Sequence, residues 1–162
     1  MKVISKQKNS RMCYVCGMFN PMGLKSQFYN MEDESVMTLF KFKTEHQSFP
    51  QRVHGGLIGT MLDELACRAY WVKDETIFGV TMSMETKYRK PVPYEVELVG
   101  KGIITSDTSK FFKTKTMILD KDGTLYAEAD TSYLKLPVAK IAKDISYHEE
   151  MGYFSDEYLE EI

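Results

Sequence analysis

The chain has 162 residues and 43% hydrophobic content, a size and composition that fit one domain with a real core. Its net charge of −2 comes from 21 Lys and Arg against 23 Asp and Glu, interspersed, so nucleic acid and anionic membrane surfaces are excluded as natural partners. No run approaches the ~18 apolar residues of a membrane span, and residues 1–11 are polar and basic without the apolar stretch of a secretory leader, so a soluble cytoplasmic protein is expected.

Residues 1–12 read as a polar N-terminal extension. Cys13 and Cys16 then have the spacing of half a zinc site. A structural zinc needs about four ligands, and the other candidates, Cys67, His46, His54 and His148, are scattered over unrelated elements. The pair therefore reads as a packed turn with neither metal nor redox role, and an odd number of cysteines without a leader argues for reduced thiols. Further on, Val36 to Lys43 alternates as a half-buried strand does, with Val36, Thr38, Phe40 and Phe42 on one side.

The segment from Val53 to Leu65 is the most informative in the chain. From Leu57 to Trp71 apolar pairs recur every four residues, which predicts a helix with a buried stripe. Two acids sit on it. Glu64 has Arg68 four residues on, the favourable order for a helical ion pair, whereas Asp63 has no cation within a turn on its own face. The flank of Asp63 runs through the small residues Gly56, Gly59, Thr60 and Cys67, which lets a ligand or another backbone approach closely. Cys67 reads as a small core residue rather than a nucleophile. Ahead of the helix, His54-Gly55-Gly56 permits a tight path into a first turn whose amides have no intrahelical partner and whose dipole is positive. Amide donors at Gly55 and Gly56 and a carboxylate about two turns along are two parts of an acyl-transfer site, an oxyanion hole and a base or nucleophile.

Four strands are predicted after the helix, over Ile77–Tyr88, Glu95–Ile104, Phe111–Leu119 and Thr124–Leu136, each bounded by Pro, Gly, Asp or Ser turn signals. The last part of the chain, residues 137–162, reads as an acidic amphipathic extension. Tyr147, Met151, Phe154, Tyr158 and Ile162 recur at helical spacing, and from Asp144 onward there are seven acids and no Lys or Arg. A helix or helix pair packed on its own domain is expected there, with the basic N-terminus as its electrostatic counterpart.

At His54-Gly55-Gly56, the long helix behind it and the acid nine residues after the histidine, the chain resembles the hotdog-fold acyl-CoA thioesterases, in particular the branch related to the phenylacetate-degradation thioesterase. Cys13-Tyr14-Val15-Cys16-Gly17 with Asn20-Pro21-Met22-Gly23-Leu24 is similar to a segment that precedes the helix in many hotdog proteins, and Thr81 to Val92 is similar to the strand that ends in Tyr-basic-basic-Pro. The likeness spans roughly residues 13–136. It has departures: Thr81, Ser83 and Glu85 stand where relatives often carry an asparagine or a second acid, and the turn from Thr105 to Lys110 replaces a commoner glycine- and arginine-bearing one.

The resemblance implies an α+β hotdog domain over 13–136, an antiparallel sheet wrapped around one long central helix, that hydrolyses an acyl-coenzyme A thioester to a carboxylic acid and free coenzyme A. Asp63 would be base or nucleophile, Gly55 and Gly56 would polarise the carbonyl, and His54 would hold the turn. Thr60, Thr81, Met82 and Ser83 would meet the substrate, and Arg89, Lys90 and Lys110 the phosphates of coenzyme A. No metal or other cofactor is implied. A homodimer or homotetramer is, since such sites usually lie between subunits. A non-catalytic acyl-CoA binding or sensing protein and a hotdog dehydratase remain as alternatives.

Overall fold

Alternation of apolar and polar residues forms long antiparallel strands after the helix, and their apolar face needs cover that the helix supplies. The computed structural model describes residues 1–141 and 147–162. Its strands are β1 (Val3–Lys6), β2 (Asn9–Ser10), β3 (Tyr29–Met31), β4 (Val36–Lys41), β5 (Ile77–Tyr88), β6 (Glu97–Asp107), β7 (Phe111–Leu119), β8 (Leu125–Pro137) and β9 (Met151–Gly152). Helix α1 (Gly55–Trp71) is the long one; α2 (Val138–Ile141) and α3 (Tyr147–Glu150) are single turns. A seven-stranded antiparallel sheet in the order β1-β3-β4-β6-β7-β8-β5 wraps around α1.

Strands β5 and β7 take the bounds their alternation predicts. Strand β6 starts two residues later than expected, because Glu95 takes a positive φ of 58° in the turn before it. A register shift between Ile104 and Ser106 then carries β6 on to Asp107. The hairpin at Asp120–Gly123 closes on the Asp120 carboxylate, which accepts from the amides of Asp122 and Thr124.

The helix sits close to the sheet because β6 has no side chain beneath it at two places. A Cβ at Gly100 would lie 2.8 Å from Leu65 Cδ1, and one at Gly102 would lie 2.8 Å from the Leu65 carbonyl. Leu65 is fully buried there, with Met61, Leu62 and Ala66 beside it on α1.

The C-terminal segment departs from its expected form. Among its described residues only the single turns Val138–Ile141 and Tyr147–Glu150 are helical; β9 pairs with β2, and the chain then runs extended along β1, where Val3 donates to the Glu160 carbonyl and Ile162 to that of Met1. Residues 144–146 of the expected helix lie outside the described residues. The edge of β1 offers unpaired backbone groups, and pairing with them outweighs the local helical pattern. The aromatic spacing serves strand packing instead: Phe154 meets Phe19 edge-on, Tyr158 meets Tyr29, and Leu159 and Ile162 cover Val3, Met31 and Met37. The basic N-terminus does meet the tail, but through backbone acceptors. Lys6 Nζ donates to the carbonyls of Ser155 and Glu157, and the terminal ammonium to that of Ile162.

Deleting residues 151–162 would uncover that apolar cluster and the β1 edge. We expect a loss of about 2–3 kcal/mol, seen as a melting temperature lower by about 5–10 °C, with stronger self-association. An unchanged melting temperature would show that the tail does not support the domain.

Candidate active site

Helix α1 begins at His54, whose backbone is extended and whose Nδ1 accepts the Gly56 amide at 3.0 Å. The His54 carbonyl takes the amides of Leu57 and Ile58. Of the two glycine amides named from the sequence, that of Gly56 is therefore committed to the histidine ring. That of Gly55 has no acceptor among the described residues and stands at the positive end of the helix dipole. Tyr88 reaches over from β5 and donates its hydroxyl to the Gly55 carbonyl at 3.0 Å. Thr60 points its hydroxyl back to the Gly56 carbonyl at 2.9 Å, which occupies its proton within the helix.

Two turns on, Asp63 is half-buried and has two hydroxyl partners in place of a cation. Thr81 of β5 donates to Oδ1 at 2.9 Å and Tyr133 of β8 at 2.8 Å. Thr81 and Tyr133 are cross-strand partners, so the β5–β8 register delivers both hydroxyls to one oxygen. No donor reaches Oδ2 among the described residues. Asp63 lines a cavity of about 340 Å³ together with Thr81, Glu64, Cys13, Cys16 and Cys67.

The Tyr133 phenol is fully buried; that burial, then the Asp63 charge beside it, hold its pKa far above the ordinary tyrosine range. It remains a donor at any working pH. Its ring is stacked on Phe112 at 4.8 Å, and Gly79 of β5 makes room for both: a Cβ there would lie 2.6 Å from Tyr133 Cδ1 and 2.7 Å from Phe112 Cζ. Immediately beyond Thr81 the β5–β8 register shifts, an irregularity of the kind that re-aims side chains beside sites. Sequence reasoning passed over Tyr133. The signal was there in principle, since a phenol on the inner face of a strand must find an acceptor.

Glu64 faces the other way. Its Oε1 accepts from Arg68 Nε at 2.8 Å, the pair its spacing predicts, and Arg68 lies 2% exposed between the rings of Phe28 and Trp71. Cys67 is no nucleophile here: burial first, then the Glu64 charge, push its thiol up to about 12, so it stays protonated.

The remaining sequence-chosen residues do not gather around Asp63. Met82, 61% exposed, and Ser83 line a second cavity of about 470 Å³ with Thr108, Phe111, Lys113 and Ser132. Arg89 is bound to Glu128 through Nη2 at 2.6 Å. Lys90 and Lys110 are exposed. Lys113 is a cation at that second cavity which the sequence reading did not single out. Along α1, Gly56 and Asp63 share a face but stand about 10 Å apart at 1.5 Å per residue.

The family model described as Thioesterase superfamily matches residues 51–127, a span that holds the helix start, Asp63 and Thr81. Among curated proteins, the acyl-coenzyme A thioesterase THEM4 of Mus musculus is 28% identical over 116 residues, 71% of this chain and 49% of that protein. The chain thus spans about half the length of the curated relatives it matches. Among solved structures, a thioesterase superfamily protein superposes with a TM-score of 0.71 at 23% identity, covering 76% of this chain and 60% of that one. A putative thioesterase of Ralstonia eutropha, described as phenylacetic acid degradation-related, superposes at 0.61 with 16% identity over 68% of this chain and 85% of that one. The architecture is the hotdog fold that the resemblance implies, and over residues 51–127 the chain is similar to the thioesterase superfamily.

Proposed function

We propose that the protein hydrolyses an acyl-coenzyme A thioester with Asp63 as its central carboxylate. The observation that carries this reading is the asymmetry of that carboxylate. Two hydroxyls hold Oδ1 and fix the plane of the group, and among the described residues no cation neutralises it and no donor reaches Oδ2, beside the cavity that Asp63 lines. A carboxylate so held can take a proton from water as the water adds to a thioester carbonyl. The charge that develops on the carbonyl oxygen would be met by the Gly55 amide and the helix dipole. Collapse expels the coenzyme A thiolate, a good leaving group that needs little acid help, and leaves the carboxylic acid. Tyr133 and Thr81 are positioning residues in this scheme, and His54 keeps the first turn in shape by engaging Gly56.

A reacting carbonyl cannot lie within ~3 Å of both Asp63 and the start of the same helix when they are about 10 Å apart. A second copy with its helix antiparallel would bring its own helix start toward Asp63, so we infer a homodimer, or a tetramer built from one. Strand β5 supports this, because it ends the sheet and exposes Val80 and Met82 along its 12 residues. The cavity lined by Met82, Phe111 and Lys113 would then receive part of the substrate, with Lys113 a better-placed partner for phosphate than Arg89, which Glu128 already holds. The reaction needs no redox cofactor, coenzyme A being part of the substrate, and the three free thiols fit a cytoplasmic setting. Among the described residues no helix is long and apolar enough to cross a membrane. A dehydratase would need a histidine as base beside an acid, whereas Nδ1 of His54 is taken by the Gly56 amide.

Thiol release from a panel of acyl-coenzyme A esters tests the reading. Asp63→Asn should lower kcat at least ~100-fold with an unchanged melting temperature, while Glu64→Gln should mainly cost stability, roughly 1.5–3 kcal/mol, by weakening the Arg68 pair. Equal losses of turnover in both variants, or near-normal turnover in Asp63→Asn, would move the chemistry elsewhere. Binding without turnover in the unmodified protein would favour the non-catalytic acyl-CoA reading.

Tyr133→Phe removes one of the two hydroxyls on Oδ1 and should reduce kcat roughly tenfold, with KM little altered, as expected for a displaced reacting group. A change confined to KM would assign Tyr133 to substrate binding. Assembly is checked by sedimentation at micromolar concentration, where a dimer or tetramer is expected. A monomer with full turnover would contradict a site shared between copies.

A further inference from the structure

Three groups that the proposed hydrolysis does not use meet at the cavity wall beside Asp63. They are the thiols of Cys13 and Cys16 and the carboxylate of Glu64, whose ligating atoms all lie within 4.8 Å of one another. We propose that they form a binding site for a soft divalent cation of the zinc type, with three protein ligands and a fourth position open to the cavity.

The spacing fits such an ion. Cys13 Sγ stands 3.7 Å from Glu64 Oε2. With metal–sulfur and metal–oxygen bonds of roughly 2.3 and 2.0 Å at a tetrahedral angle, the sulfur–oxygen edge would be about 3.5 Å. Only a small closure separates the two.

The turn that carries the thiols is also built for sulfur ligands. The Gly17 amide closes it on the Cys13 carbonyl at 2.9 Å, and a Cβ at Gly17 would come within 2.2 Å of that oxygen, so no other residue fits without movement. Backbone amides are aimed at both sulfurs, Val15 at Cys13 Sγ and Ser10 at Cys16 Sγ, each at 3.4 Å. A neutral thiol is a weak acceptor; a metal-bound thiolate uses such donors fully.

Charge gives a third argument. Binding follows M²⁺ + 2 RSH + RCO₂⁻ → M(SR)₂(O₂CR)⁻ + 2 H⁺, and the product's single negative charge lies against Arg68, which is buried and already bonded to Glu64 Oε1. Cation, two thiolates, carboxylate and guanidinium sum to zero in a buried place where an unbalanced charge would be costly. Arg68 also orients the carboxylate so that Oε2 turns toward the thiols, as outer hydrogen bonds do for metal ligands. The half-site legible in the sequence thus finds its third ligand as a glutamate on α1 rather than as a cysteine or histidine. A bound ion would tie the segment before β3 to the helix turn that carries Asp63.

The inference does not depend on the hydrolytic reading, and its test reads the metal directly. The full chain, reduced and freed of metal, is titrated with Co²⁺ and followed by absorbance and by thiol titration. The expected result is the thiolate-to-metal charge-transfer and ligand-field bands of a tetrahedral site, saturating at one ion per chain, with two thiols protected from modification. Zn²⁺ should displace the colour and keep the protection. Cys13→Ser, with a melting curve showing that it folds, should abolish the charge transfer from that sulfur and weaken Co²⁺ binding by at least about tenfold. Absence of the bands in the unmodified chain would overturn the proposal, as would an unchanged titration in Cys13→Ser. So would conversion of Cys13 and Cys16 to an intramolecular disulfide by air without any metal uptake, which would make the pair a redox couple instead.

Discussion

The close seating of α1 on β6 is the constraint from which the rest follows. Without side chains at Gly100 and Gly102, the sheet lets Leu65 press down to the backbone, which fixes both the depth and the rotation of the helix. Successive helical residues point about 100° apart. With Leu65 in the core, Glu64 turns toward the segment of Cys13 and Cys16, and Asp63 turns toward β5 and β8. One helical turn therefore serves the core and two separate polar clusters. The acids are neighbours in sequence and share the same cavity, yet they have unrelated partners: two hydroxyls for Asp63, a buried guanidinium and the Cys13 thiol for Glu64.

What was legible in the sequence is what short-range pattern controls. The bounds of β5 and β7, the helix, and the difference between Asp63 and Glu64 all depend on residues within about a turn or along one strand. Tyr133 was missed because it meets Asp63 across 70 positions, and only the β5–β8 register brings it there. Glu64 was not considered beside Cys13 for the same reason, since 51 positions separate them. The tail shows the opposite error. Residues at helical spacing invited a local explanation, but the edge of β1 is a stronger partner than the segment has in itself. At the helix start the sequence identified the glycines but not the competition for their amides; only the placement of the His54 ring shows that the Gly56 amide is engaged, while that of Gly55 meets no acceptor among the described residues.

The polar side of the site is rigid for reasons remote from its chemistry. Thr81 and Tyr133 are opposite one another in the sheet, the Tyr133 ring is stacked on Phe112, and Gly79, lacking a Cβ, leaves room for both rings. Oδ1 of Asp63 is thus held by groups whose own positions are set by packing, which is the arrangement that limits reorganisation when charge moves. Oδ2, on the cavity side, is left to respond to whatever enters.

The two edges of the sheet have been finished differently. On the β1 side the last residues of the chain add a paired layer whose outermost part carries Glu157, Glu160 and Glu161, so a second copy arriving there would meet like charge. On the β5 side the edge carries Val80 and Met82 and no such cover among the described residues. In the proposed dimer, copies joining through their sheets would do so by the open side, and the pair would then carry acidic residues on both outer flanks. Further growth by strand addition would there meet like charge, a brake on fibre formation.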